Sequence, residues 1–298
     1  MFNEKLRKSF LPEHSWAYFD YKYMCTEVNP DVLSLFSWET FGVSNSGFDS
    51  TLWVGTEGAH TPCHQDTYGE NLVAQLAGSK TWRLFPPDQG QYLSPTRVPY
   101  EESSIYSSVN FINLSHNCPR TLSKLSMATP YIVTLKPGDV LYVPRHWWHQ
   151  VYSNEFSISV NTWLEHPEDN RARLGESIVR CQVAQMIKGL DKEVLDLILN
   201  PNEDDLAEEC LENQVELCNH VTSKWNKGDY RINSKLTMKG DVKVVEPTQM
   251  ILPEYKSDQG SNCPEISEPF HRQLVKLINA VCDQSVIERA VECYLSSL

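Results

Sequence analysis

Near residue 165 the apolar residues of this chain change their period, and that switch limits what its two parts can fold into. Ahead of it, short runs rich in Val, Ile, Thr and aromatic residues (51–56, 71–77, 81–85, 131–135, 140–143, 147–152 and 156–163) are separated by turns containing Gly or Pro. Many short strands between frequent turns specify a β-sandwich or barrel. Leu76-Ala77-Gly78-Ser79-Lys80-Thr81 reads as a hairpin turn in which Gly78 can take a positive φ, and Lys136-Pro137-Gly138-Asp139 as a second tight turn. Behind the switch, Val179, Val183, Met186, Ile187 and Leu190 recur at helical spacing, as do Phe270, Leu274, Leu277, Ile278 and Val281. Ile287, Val291, Tyr294 and Leu295 add a last helix. The expected organisation is a mainly β domain over 1–165, an acidic helical extension over 166–225, a flexible linker over 226–262 and a C-terminal helix pair over 263–298.

Charge narrows the partners. The 39 Asp and Glu against 26 Lys and Arg give a net charge of −13 with no segregated basic patch, which argues against binding nucleic acid or an anionic membrane. Residues 191–220 alone hold ten Asp and Glu and one Lys, the composition of a solvated helix face. No apolar run approaches the ~18 residues that span a bilayer, and the first ten residues lack the apolar centre of a secretory signal. The nine cysteines are scattered and form no CxxC, a pattern suited to free thiols in a reducing compartment. The cytoplasm is the expected location, with the nucleus as the alternative.

The residues that can carry chemistry are His64-Gln65-Asp66 and the His146-Trp147-Trp148-His149 run. Residues two apart on a strand project to the same face, so His64 and Asp66 can meet one cation. A histidine from another strand would complete two nitrogens and one oxygen on one side of a metal, the arrangement that non-haem Fe(II) oxygenases use. His146 and His149 differ by three, so both cannot face inward on one strand. An HxD pair alone is a weak signal. His166-Pro167-Glu168 has similar spelling but falls where the strand pattern ends, and reads as a surface decoy.

Segments 50–87 and 135–165, which contain those residues, closely resemble the JmjC family of Fe(II)/2-oxoglutarate oxygenases, in particular its small hydroxylase branch. The resemblance spans about residues 15–165 and implies a double-stranded β-helix, a jelly-roll of the cupin type. It implies that His64, Asp66 and His149 hold iron, with 2-oxoglutarate and O2 as co-substrates. Lys80 matches the lysine that pairs with the distal carboxylate of 2-oxoglutarate, and Thr61 a hydroxyl donor to the same group. Asn71 and Asn161 match asparagines of the co-substrate pocket, Trp163 an aromatic near the iron, and Tyr18 a tyrosine that also reaches the distal carboxylate. Taken alone, Lys80 reads as a surface hairpin lysine, Thr61 and Asn71 as ordinary turn and strand residues, and Trp163 as a rim aromatic.

The resemblance implies a protein substrate hydroxylated on a side chain and, through a chaperone-associated branch of the family, a small heat-shock protein as partner. The alternatives are a non-catalytic interaction module that binds such a chaperone, and a cupin enzyme that uses no 2-oxoglutarate. The C-terminal helices are expected to pack on the barrel or to form a homodimer. Residues 88–129 read as an insert of the kind that lines the family's substrate groove, with no metal spacing at His116 and Cys118. Family members continue further ahead of the position of Met1, so the barrel is expected to have a short N-terminal backing and an exposed sheet edge.

Overall fold

The computed structural model describes residues 15–227, 243–250, 252 and 269–297. Among these residues eleven strands run in chain order: β1 Tyr18–Tyr23, β2 Ser50–Gly55, β3 His60–Asp66, β4 Glu70–Ala77, β5 Lys80–Phe85, β6 Pro95–Thr96, β7 Ser104–Ser107, β8 Tyr131–Leu135, β9 Val140–Val143, β10 Trp148–Ser153 and β11 Ser157–Leu164. They form a five-stranded sheet, β1-β2-β11-β4-β9, and a six-stranded sheet, β6-β7-β3-β10-β5-β8. All strand pairs are antiparallel.

Consecutive strands rarely pair. β2, β4, β9 and β11 lie in one sheet, and β3, β5, β8 and β10 in the other. Each short turn therefore carries the chain across to the opposite sheet, and the backbone winds as a jelly-roll. This corrects the reading of Gly78-Ser79 as a hairpin: β4 pairs with β11 and β9, β5 with β10 and β8, and the two do not pair with each other. A local pattern of strand, turn, strand cannot distinguish these outcomes, because sheet pairing is decided by which faces need burial. Gly78 is still required. It sits at φ +61°, and a Cβ there would collide with the Phe156 carbonyl of the neighbouring β10–β11 turn. Gly78→Ala is expected to lower stability by about 2 kcal/mol or more, read as a shift of the urea midpoint at unchanged slope.

Strand alternation sorts side chains between three layers. Val73, Trp82, Leu84, Leu135, Val143 and Val151 pack between the sheets. Leu72, Val160 and Leu164 face away, under an N-terminal layer containing Met24, Leu33 and Trp38. Cys63, Phe85 and Trp148 face away from the other sheet, covered by Phe111 and Leu125 from the 88–129 segment. That segment is more than a groove-lining loop, since it supplies β6, β7 and the helix Pro119–Leu125.

The helical half has its own core. Val179, Val183 and Ile187 of the helix Asp169–Ile187 are buried against Leu274 and Ile278 of Pro269–Val281 and Ile287 and Val291 of Gln284–Leu295. Phe270 and Leu277, read from sequence as part of the same stripe, are exposed. The acidic face also has one exception: Glu203 is buried and paired with Arg180. The sequence-expected linker falls mostly outside the described residues. Within it, Thr248 donates to the Pro130 carbonyl beside edge strand β8, and Met250 and Leu252 pack against the Phe85 cluster. Among the described residues no helix is long and apolar enough to cross a membrane.

Candidate metal centre

His64 on β3 and His149 on β10 are directly opposed across the ladder, their ring centroids 4.2 Å apart. Asp66, two residues further along β3, shares their face. Its carboxylate lies 3.5 Å from His64 Nε2 and 3.9 Å from His149 Nε2, and one ligand atom from each residue lies within 4.8 Å of the others. Two bonds of about 2.1 Å to a common ion span at most ~4.2 Å, so both carboxylate pairs are already within range.

The histidine tautomers fit this use. His64 Nδ1 lies 2.9 Å from the Pro62 carbonyl and His149 Nδ1 3.1 Å from the Trp147 carbonyl. Each Nδ1 must carry the proton to donate to a carbonyl, which leaves Nε2 of both rings as the atom facing Asp66; on His64 that nitrogen carries a proton toward the carboxylate, which a bound cation would displace. Burial, reinforced by His64, pushes the His149 pKa down to about 4, so the ring is neutral at pH 7. Burial alone would raise the Asp66 carboxyl and lower His64. The hydrogen bond and attraction between the two reverse both directions, and the Trp163 indole adds a further hydrogen bond to Asp66. His146 lies outside β10, in the turn before it at φ +63°, with Nε2 on the Thr67 carbonyl. His166 sits at the approach to the Asp169–Ile187 helix, its Nδ1 accepting from Glu168 N.

Further into the barrel is a buried cation. Lys80 is 1% exposed, and its Nζ lies 2.8 Å from Ser159 Oγ and 3.5 Å from the Tyr18 hydroxyl. Thr61 Oγ1 is 3.4 Å from the same tyrosine oxygen. Among the described residues no carboxylate pairs with Lys80, and burial pulls its pKa down to about 7. The structure thus brings Lys80, Thr61 and Tyr18 together. Asn71 and Asn161 bond to one another at 2.8 Å, and Trp53 donates to Asn161 at 2.7 Å.

A bulge makes the assembly possible. Thr61 and His64 are three apart and would face opposite sides of a regular strand. Between the pairs His149↔His64 and Val151↔Thr61, β3 uses one more residue than β10, and this irregularity returns both side chains to the interior. A second one lies in β1, between Phe19↔Val54 and Lys22↔Leu52. There Tyr21 takes φ +49°, and its ring meets Trp53 and Trp163 at the mouth of the site.

Sequence reading missed Ser159, Trp53, Tyr21 and Trp82, the last stacked on His149 at 5.8 Å. Ser159 had a usable signal, since it precedes Asn161 and Trp163 at intervals of two on one strand face. The aromatic contacts had none, because they depend on how the two sheets meet.

Comparison with known proteins agrees with this geometry. A cupin-like domain model matches residues 13–170. The HSPB1-associated protein 1 of Mus musculus is 47% identical over 197 residues, which cover 64% of this chain and 40% of that protein. The HSPB1-associated protein 1 homolog of Danio rerio is 44% identical over 211 residues, covering 68% and 46%. The lysine-specific demethylase JMJ31 of Arabidopsis thaliana is 32% identical over 127 residues, covering 42% and 22%. The matched stretch spans less than half the length of each of these relatives.

Proposed function

The chain belongs to the cupin-like family, and from that premise we propose that it is an Fe(II)- and 2-oxoglutarate-dependent oxygenase acting on a protein side chain. The observation that carries this reading is Lys80: a cation buried to 1% exposure among hydroxyls, without a counter-ion among the described residues, in the barrel that also holds His64, Asp66 and His149. Leaving a charge unpaired in such a place is costly unless an anion enters to meet it. A dicarboxylate would answer the need, its far carboxylate held by Lys80, Tyr18 and Thr61 and its 2-oxo acid end directed toward the triad.

His64, Asp66 and His149 would hold the iron and leave the remaining positions open. Bound there, the metal would supply the activation of O2 that couples conversion of 2-oxoglutarate to succinate and CO2 with insertion of one oxygen atom into a substrate C–H bond. Trp163 orients the Asp66 carboxylate, and the two backbone carbonyls fix the imidazoles. The free thiols of the described cysteines accord with residence in a reducing compartment such as the cytoplasm.

A second reading draws on the relatives named for association with HSPB1: a module that docks on a small heat-shock protein without turnover. The two separate cleanly in one experiment. Anaerobic protein titrated with Fe(II) and 2-oxoglutarate is expected to develop the weak visible charge-transfer band of the chelate, and on admitting O2 to release succinate. Both signals should vanish in His64→Ala/Asp66→Ala. Succinate release that is the same in the double variant, or no band in the wild type beside intact chaperone binding, would remove the enzymatic reading.

A further inference from the structure

The strand that carries His64 and Asp66 has β10 on one side and only β7 on the other. β7 is four residues long and is followed outward by the two-residue β6. So short an edge cannot hold its own register by ladder bonds alone. Yet the register matters, because β7 sets Tyr106 opposite His64 and Ser104 opposite Asp66.

What holds β7 comes from the helical half. Tyr100 N donates to the Ile198 carbonyl at 2.6 Å, and the Tyr100 carbonyl accepts from Asn200 N at 2.8 Å. The Glu101 carboxylate accepts from Asn200 and Asn202 side chains as well as from the Tyr106 hydroxyl. Glu102 N donates to Glu203 at 2.8 Å. Ser103 N donates to Glu176 Oε2 at 3.1 Å, and the Ser103 carbonyl accepts from Thr67 N, next to the ligand Asp66. Ser104 O accepts from Arg97, whose guanidinium is paired with Glu176 through contacts of 2.6 and 2.9 Å. Arg97 and Glu176 are each 3% exposed. Every residue from Tyr100 to Ser103 is thus tied directly to the 176–203 region, and Ser104 through Arg97.

We propose that the helical extension is a working part of the metal centre, with Glu176 as a positioning residue that fixes segment 100–106 and, through it, the register of the strand bearing His64 and Asp66. The proposal rests on reading His64, Asp66 and His149 as a metal site. It makes the β domain incomplete without the helix Asp169–Ile187: the same side chain that neutralises Arg97 also holds the backbone one residue from β7.

The test compares the wild type with Glu176→Gln and with Arg97→Met/Glu176→Met, the latter because replacing both partners of a buried pair with apolar groups commonly preserves stability. Co(II) affinity is read from its visible spectrum, and backbone amide exchange is followed over residues 100–107. Thermal melting reports global stability. In the double variant, melting is expected to stay cooperative and near that of the wild type. Exchange at Ser103–Tyr106 should accelerate about tenfold or more. Co(II) affinity should fall ~10–100-fold, the usual effect of losing support behind a ligand. Should Glu176→Gln fail to fold, the double variant carries the test alone. Unchanged exchange at 103–106, or faster exchange with wild-type Co(II) affinity, would overturn the positioning role. A wild-type protein with no His64-dependent Co(II) spectrum would instead overturn the metal reading, a distinct result.

Discussion

Asp66→Asn is expected to abolish retention of a divalent metal while leaving the fold intact. Asparagine keeps the shape of the side chain and a carbonyl oxygen able to accept from the Trp163 indole, so the packing at the strand end survives. What it removes is the anion among the three ligands. Two neutral imidazoles that face each other at a centroid distance of 4.2 Å offer a divalent ion no charge compensation. The fall in Co(II) affinity should exceed the about 10–100-fold that the loss of a supporting hydrogen bond produces. Spectroscopic titration with Co(II) measures it, and circular dichroism reports whether the fold is kept. His166→Ala is the matched control. That histidine belongs to a similar-looking His-Pro-Glu triplet, but its ring serves the local turn ahead of a helix and its loss should leave Co(II) binding unchanged. Equal affinity in Asp66→Asn and the wild type would mean that the triad holds no metal.

How much of this was legible before any coordinates depends on the range of the physics involved. The seven strand runs read from their β-favouring composition between turns each correspond to a strand, because β-branched and aromatic residues suit a pleated, half-buried surface and Gly and Pro punctuate it. β3 is different. His60-Thr61-Pro62-Cys63-His64-Gln65-Asp66 has no β-rich composition, and its place in the sheet is secured by pairing with β10 on one side and β7 on the other. Its bulge is equally silent in sequence, although it decides whether Thr61 can share the interior with His64. Gly78 was legible as a residue needing positive φ, while the sheet-to-sheet crossing it makes was not. The acidic tract read as solvent-facing charge, and most of it is. Glu203 escapes that description because its partners, Arg180 and the Glu102 backbone, come from segments distant in sequence.

Lys80→Met should have opposite effects on the protein with and without its co-substrate. In the metal-free protein burial lowers the Lys80 pKa from the ordinary 10.5 to about 7. Below pH 7 the folded state carries a desolvated charge that the unfolded chain keeps in water, and the full penalty applies. Between about 7 and 10.5 the folded protein sheds the proton while the unfolded chain retains it, so stability rises with pH across that window. Above it both states are neutral and the penalty has gone. Methionine matches the length of the side chain without the charge, so Lys80→Met should melt at higher temperature than the wild type at pH 6–7 and flatten the climb above it. Loss of the hydrogen bond to Ser159 Oγ sets a limit on the gain, since an unpartnered buried hydroxyl costs about 1–3 kcal/mol. Binding reverses the balance. On the proposed function, 2-oxoglutarate brings a carboxylate to Lys80, and stranding that anion beside a thioether costs about 3–5 kcal/mol, equivalent to ~10²-fold or more in affinity. Calorimetric titration with 2-oxoglutarate should therefore lose its signal in the variant, and the co-substrate should raise the melting temperature of the wild type alone. A variant that is less stable than the wild type at pH 6 and still binds 2-oxoglutarate would show that Lys80 is a structural lysine whose neighbours, Ser159, Tyr18 and Thr61, already satisfy it.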